Sequence, residues 1–101
     1  MAFTPATLEL LRDVSIQVDA VDGKLTLFRT DRPLSPADIE TLTSQLEEIR
    51  AFYQNPHRKW KVRLPNAPSL YVYTESPITV WAMAESFLHI TDGMVFVDPL
   101  I

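Results

Sequence analysis

His57 and His89 are the only imidazoles in this 101-residue chain, and imidazole is the side chain most readily used as a general base near neutral pH. Nucleophilic catalysis would need one of them beside a Ser or Cys, with a third group to orient it. The chain has no Cys and no Gly-x-Ser-x-Gly elbow. No His-x-x-x-His spacing occurs, and His89 with Asp92 supplies too few ligands for a closed metal site. Glu47 and Glu48 are adjacent on a solvated helix face and point apart, whereas acid–base work needs two carboxyls in one cleft with unlike surroundings. The only glycines, Gly23 and Gly93, each follow an Asp in a turn, which excludes a phosphate-cradling loop. These residues point to no catalytic centre, no metal and no cofactor. A deep pocket holding His57 or His89 with a carboxylate would be needed to revive an enzyme.

The other chemistry on offer is charge beside aromatic surface. In His57-Arg58-Lys59-Trp60-Lys61-Val62-Arg63, the cations Arg58, Lys59, Lys61 and Arg63 could meet phosphates while an aromatic ring stacks on a base. The strand period argues against interleaving, because Trp60 and Lys61 would face opposite sides. On the competing reading Trp60, Val62 and Leu64 enter the core, and the lysines face solvent and deter edge-to-edge pairing. The balance of the chain, thirteen acids against nine bases and a net charge of −4, disfavours a general polyanion binder. The basic island is local: residues 51–63 hold no acid, and residues 64–101 hold Glu75, Glu85, Asp92 and Asp98 but no Lys or Arg.

Three helix starts are written alike, as Thr4-Pro5, Ser35-Pro36 and Ser76-Pro77, pairing a capping hydroxyl with a Pro suited to the first helical position. They predict helices over about 5–12, 36–53 and 77–88. Phe3 with Leu8 and Leu34 with Ile39 are placed as hydrophobic staples. Val14 to Ala20 alternates, Asp22-Gly23 signals a two-residue turn and Lys24 to Leu27 alternates again, which predicts a hairpin with Val14, Ile16, Val18, Leu25 and Leu27 inward. In the second helix Ile39, Leu42, Leu46, Ile49 and Tyr53 form one stripe, with Phe52 off it. Further strands are expected around Trp60–Leu64, Leu70–Tyr73 and Met94–Val97, the last after an Asp92-Gly93 turn and able to pair with 88–91 should the third helix end early. The helix-then-hairpin order occurs at 4–28 and again at 76–97, with too little identity to be a repeat.

Length and composition set the class. A chain of 101 residues with 47% hydrophobic and 22% charged residues is expected to form one globular domain, 1–101, of α+β type. The absence of Cys fits a reducing cytoplasm, no signal peptide is visible, and the longest apolar run is too short to span a membrane. In the third helix Trp81, Met83 and Phe87, with Val80, Ala84 and Leu88, cover half the circumference or more, so that helix must be buried on more than one side. Tyr71, Tyr73, Phe28 and Phe52 fall on nominally outward positions, and exposed aromatics that cluster mark partner surfaces. Both features predict a protein contact, including self-association as a homodimer through Trp81, Met83 and Phe87.

Residues 4–53 resemble the N-terminal docking domains of hybrid polyketide and nonribosomal peptide synthetases (the tubulysin-type, TubC-like family). The likeness lies in the order of parts: the helix Ala6-Thr7-Leu8-Glu9-Leu10-Leu11, the strand Val14 to Val18, the turn and strand Asp22-Gly23-Lys24-Leu25-Thr26-Leu27, and Leu34-Ser35-Pro36 opening a longer helix with Ile39, Leu42 and Leu46. The resemblance implies a small homodimer whose exposed hairpin receives a short peptide. The receiving residues would be Ser15, Gln17, Asp19, Lys24, Thr26 and Phe28. Residues 57–101 add strands and a helix outside that likeness. The expected function is a non-enzymatic protein–protein interaction module that offers its first hairpin edge to a protein or peptide strand. The alternative is a nucleic-acid-associated accessory protein of a mobile element, acting through segment 58–63.

Overall fold

The computed structural model describes residues 3–87 and 95–100. Over these residues the chain is mixed α+β, with four helices, a two-stranded antiparallel sheet and a three-stranded antiparallel sheet. It divides into two compact units, one running to Phe52 and the other starting at Tyr53.

The first unit opens with α1 (Pro5–Asp13), capped by the Thr4 hydroxyl, which accepts the Thr7 N–H at 3.3 Å. Strand β1 (Val14–Val18) follows directly and pairs with β2 (Leu25–Thr30). The connection is longer than a two-residue turn. Asp19 Oδ1 accepts the N–H groups of Val21 (2.8 Å) and Asp22 (3.1 Å), and Asp22 Oδ1 accepts that of Lys24 (2.8 Å). Only Gly23 there takes positive φ, at 72°, so side-chain carboxylates rather than two left-handed residues reverse the chain. Its carbonyl accepts Arg50 Nε at 2.9 Å, which ties the loop to the helix at Arg50. A bulge also interrupts the register: Ser15 faces Arg29 and Ile16 faces Leu27, leaving Phe28 as an extra residue. A bulge sharpens local twist and re-aims side chains. Here Val14 and Val18 are buried as expected, Ser15 is buried with them, and Leu27 stands 45% exposed.

The predicted 36–53 helix is two helices, α2 (Pro36–Ser44) and α3 (Leu46–Gln54), separated at Gln45. The capping box at the start of α2 forms in full between Ser35 and Asp38. The break has a local cause. Thr41, Thr43 and Ser44 turn their hydroxyls back onto the carbonyls of Ala37, Ile39 and Thr41, at 3.0, 2.7 and 2.7 Å. Such back-bonding competes with the helical ladder and bends helices. Gln45 then holds the N-terminus, its Oε1 accepting the Thr4 N–H at 3.2 Å. Phe3 packs edge-on against Phe52, ring centroids 5.7 Å apart, so Phe52 completes an internal contact rather than an outer patch. Leu10, Leu11, Val14, Val18, Leu42 and Ile49 form the buried apolar set of this unit.

In the second unit β3 (His57–Arg63) is central, flanked by β4 (Leu70–Ile78) and β5 (Phe96–Pro99), both antiparallel to it. Ser76-Pro77 is therefore not a helix start. It lies at the end of β4, an edge strand, where a missing N–H costs no ladder bond. Helix α4 (Val80–Phe87) begins later, and Thr79 Oγ1 accepts the Ala82 N–H at 3.2 Å in the capping role. Trp60, Val62, Val80, Met83 and Val97 make the core, with Leu64, Val72, Ile78, Ala84, Phe87 and Val95 packed against it. The final strand pairs with β3. Residues 88–91, His89 and the Asp92-Gly93 turn lie outside the described residues.

Candidate functional site

The first unit carries an apolar groove of about 160 Å³. Ile16 from β1, Leu25 and Leu27 from β2, and Ile39, Leu42, Leu46 and Ile49 from the two helices line it. The helical stripe read from the sequence thus has two fates. Leu42 and Ile49 line it as buried residues, while Ile39 (52%) and Leu46 (40%) remain exposed at the mouth, facing the hairpin across the groove. The break at Gln45 and the hairpin bulge fall in the elements that form the two walls. On the hairpin wall β2 has, among the described residues, a strand on one side only. Its stretch Lys24–Thr30 carries Lys24 and Arg29 and no acid.

The hairpin residues singled out in the sequence separate on inspection. Gln17 and Thr26 face each other across the sheet and are exposed, as are Lys24 and Phe28. Asp19 is exposed, but its carboxylate is committed to the turn, and the Val21 and Asp22 N–H groups hold it below the usual carboxylate range. Ser15 is buried at 1% exposure beside the bulge, so it presents nothing to a partner. The sequence pattern did not mark Ile39 and Leu46 as surface residues, because a stripe at helical spacing reads as core.

The basic segment separates as well. Arg63 is 2% exposed and donates from a guanidinium nitrogen to Asp98 Oδ2 at 2.9 Å, while Asp98 Oδ1 accepts the Tyr53 hydroxyl at 2.8 Å. Burial, reinforced by the neighbouring Asp98 charge, pushes the Tyr53 phenol well above its ordinary pKa. Arg63 is thus a structural cation, and a nucleic-acid role for it is withdrawn. Trp60 is fully buried, its indole N–H donating to the His57 carbonyl at 3.1 Å. Arg58 and Lys59 are exposed and Lys61 is half-buried. The cross-strand register sets Lys59 opposite Tyr73 and Lys61 opposite Tyr71, with Lys59 Nζ 5.9 Å from the Tyr73 ring centroid. Tyr71 and Tyr73 are 66% and 74% exposed.

The helix expected to self-associate is largely used by its own unit. Met83 is 2% exposed in the core, Phe87 packs against that core, and Trp81 reaches solvent at 36%. Met83 is therefore unable to form a surface contact. Among the described residues, no three His, Asp or Glu side chains group closely enough to hold a metal ion, and no helix is long and apolar enough to cross a membrane. His57 sets its ring edge-on to Trp60, with centroids 6.2 Å apart. Comparison with known proteins finds no matching family model, curated protein or solved structure.

Proposed function

We propose that the protein is a non-enzymatic interaction module whose first unit receives an extended segment of a partner protein along the β2 edge. One observation carries the reading: a strand paired, among the described residues, on one side only borders a groove whose mouth exposes Leu27, Ile39 and Leu46. An added strand would gain main-chain hydrogen bonds from β2 and could drop alternate side chains into the groove. The cations Lys24 and Arg29, with no acid between them, favour a segment that is apolar at alternate positions and acidic at its ends. The succession α1, β1, β2, α2 is also the order of parts on which the likeness to synthetase docking domains rests, and that likeness supports peptide reception. Self-association through α4 is not carried forward, because Met83 and Phe87 serve their own unit's core.

The test uses a synthetic peptide of about six residues, the length of a typical strand, with alternating Leu or Val and an Asp at each end. It is titrated into the isotopically labelled full chain. Amide shifts confined to 25–30 and methyl shifts at Leu27, Ile39 and Leu46 are expected. Leu27→Asp and Ile39→Asp should abolish them while leaving the far-ultraviolet circular dichroism intact. Shifts spread evenly over the chain, or binding that survives both substitutions, would defeat the proposal.

A further inference from the structure

A second surface lies on the other unit and shares no residue with the groove. Residues opposite one another in an antiparallel ladder project from the same face. Lys59, Lys61, Tyr71 and Tyr73 therefore share one face of the three-stranded sheet with the buried pair Arg63 and Asp98, while Trp60, Val62, Val72 and Val97 lie on the other, core-forming face. The tyrosines are two residues apart on one strand, a rise of about 6.8 Å, which is of the order of the step between bases in an extended single strand. Their rings are the most exposed aromatic surface among the described residues.

We infer that this face binds single-stranded nucleic acid, Tyr71 and Tyr73 each stacking a base while Lys59 and Lys61 meet the backbone phosphates. Stacking on aromatic rings beside a cationic track is how single strands are held without sequence readout. Charge complementarity selects this occupant over a protein. Lys59, exposed, and Lys61, half-buried, bring two cations to this face in a chain whose net charge is −4. A duplex would not fit the same way, because its bases are already stacked on one another and unavailable to the tyrosines.

The test is fluorescence anisotropy of the full chain with a labelled oligo(dT) of about twelve nucleotides, within the usual site sizes. It is compared with a duplex of the same length at about 50 and about 200 mM salt. The oligo(dT) should bind and the duplex should bind more weakly. Tyr71→Ala and Tyr73→Ala should each weaken binding by about tenfold, whereas Tyr71→Phe and Tyr73→Phe should retain it. Lys59→Gln with Lys61→Gln should flatten the salt slope by about 1.4, or about 0.7 for each phosphate contact. All four positions lie outside the core, and thermal melts of the variants verify that the fold is kept. No oligo(dT) binding at low salt, equal affinity of the alanine variants, or a preference for duplex would each overturn the inference. So would self-association that is lost in the tyrosine variants without any oligonucleotide bound, which would make the face a protein contact.

Discussion

Replacing Asp98 with Ala should cost about 3–5 kcal/mol, the range for removing one member of a buried ion pair. The structure supplies the reason. Arg63 and Asp98 are each 2% exposed, so the guanidinium would stay out of water without the carboxylate that balances its charge. The Tyr53 hydroxyl would lose the same carboxylate. A hydrogen bond to a charged acceptor contributes about 1.5–3 kcal/mol, but it shares Asp98 with the ion pair, so the two losses overlap rather than add. Against a total stability of about 5–15 kcal/mol for a typical domain, the substitution removes about a fifth or more. Urea denaturation followed by tryptophan fluorescence is the assay, because Trp60 is fully buried in the same unit. The double variant Arg63→Met, Asp98→Leu should recover most of the loss, since an apolar pair of similar volume leaves no buried charge. Two results would refute the reasoning: an Asp98→Ala protein within about 1 kcal/mol of the parent, the range of a solvated pair, or a double variant no more stable than the single one.

Tyr53 gives a pH prediction at the alkaline end. Its folded pKa is raised by burial above the unfolded value, so the stability it contributes is complete below the unfolded pKa of about 10 and is lost as pH rises toward the folded one. Tyrosinate absorbance should show one phenol ionising only with unfolding, and Tyr53→Phe should remove that component. Asp38 acts at the other end. Its carboxyl is held low by the Ser35 N–H and then by Arg32, so its contribution is present above the unfolded value and is lost as pH falls through the folded one. Asp38→Asn should reduce the fall in thermal midpoint on acidification. Gly23→Ala should cost about 1–2 kcal/mol, the penalty for a Cβ in the left-handed region, measured by chemical denaturation. Met83→Ala should cost about 2–5 kcal/mol as a cavity in the core, whereas Trp81→Ala should cost clearly less, and equal losses in calorimetry would contradict the placement of α4.

Features that depend on near neighbours were legible in the sequence. Thr4 and Ser35 cap helices where a hydroxyl precedes Pro, the alternation from Val14 marks a strand, and Trp60 and Val62 enter the core while Arg58 and Lys59 do not. Features that depend on competition or on register were not. Ser76-Pro77 carries the same local signal as Thr4-Pro5, yet pairing with β3 extends β4 through it, and Thr79 takes the cap. The break at Gln45 is written in Thr41, Thr43 and Ser44, a cue that the long apolar stripe overrode. Arg63 shares the parity of Lys59 and Lys61, so only the ion pair with Asp98 on β5 distinguishes the buried Arg63 from the exposed Lys59 and the half-buried Lys61. The groove was hidden because apolar periodicity states which residues share a face and says nothing of whether the opposing wall closes on it.

The same limit of local pattern explains why an aromatic partner for the lysines was missed. A search along one strand finds only Trp60, on the wrong face. The partners stand on the next strand, where register sets Tyr73 against Lys59 and Tyr71 against Lys61. The two proposed surfaces then differ in a physical variable that needs no knowledge of the partners. An apolar groove is strengthened by excluded salts such as sulfate, which favour burial. A phosphate-binding face is weakened by any salt, because bound counterions are no longer released at a gain. Raising sulfate should therefore move the two affinities in opposite directions on one molecule. If both fell together, the groove would be held by charge through Lys24 and Arg29 rather than by Leu27, Ile39 and Leu46, and the apolar argument for the first unit would fail while the Lys–Tyr face stood.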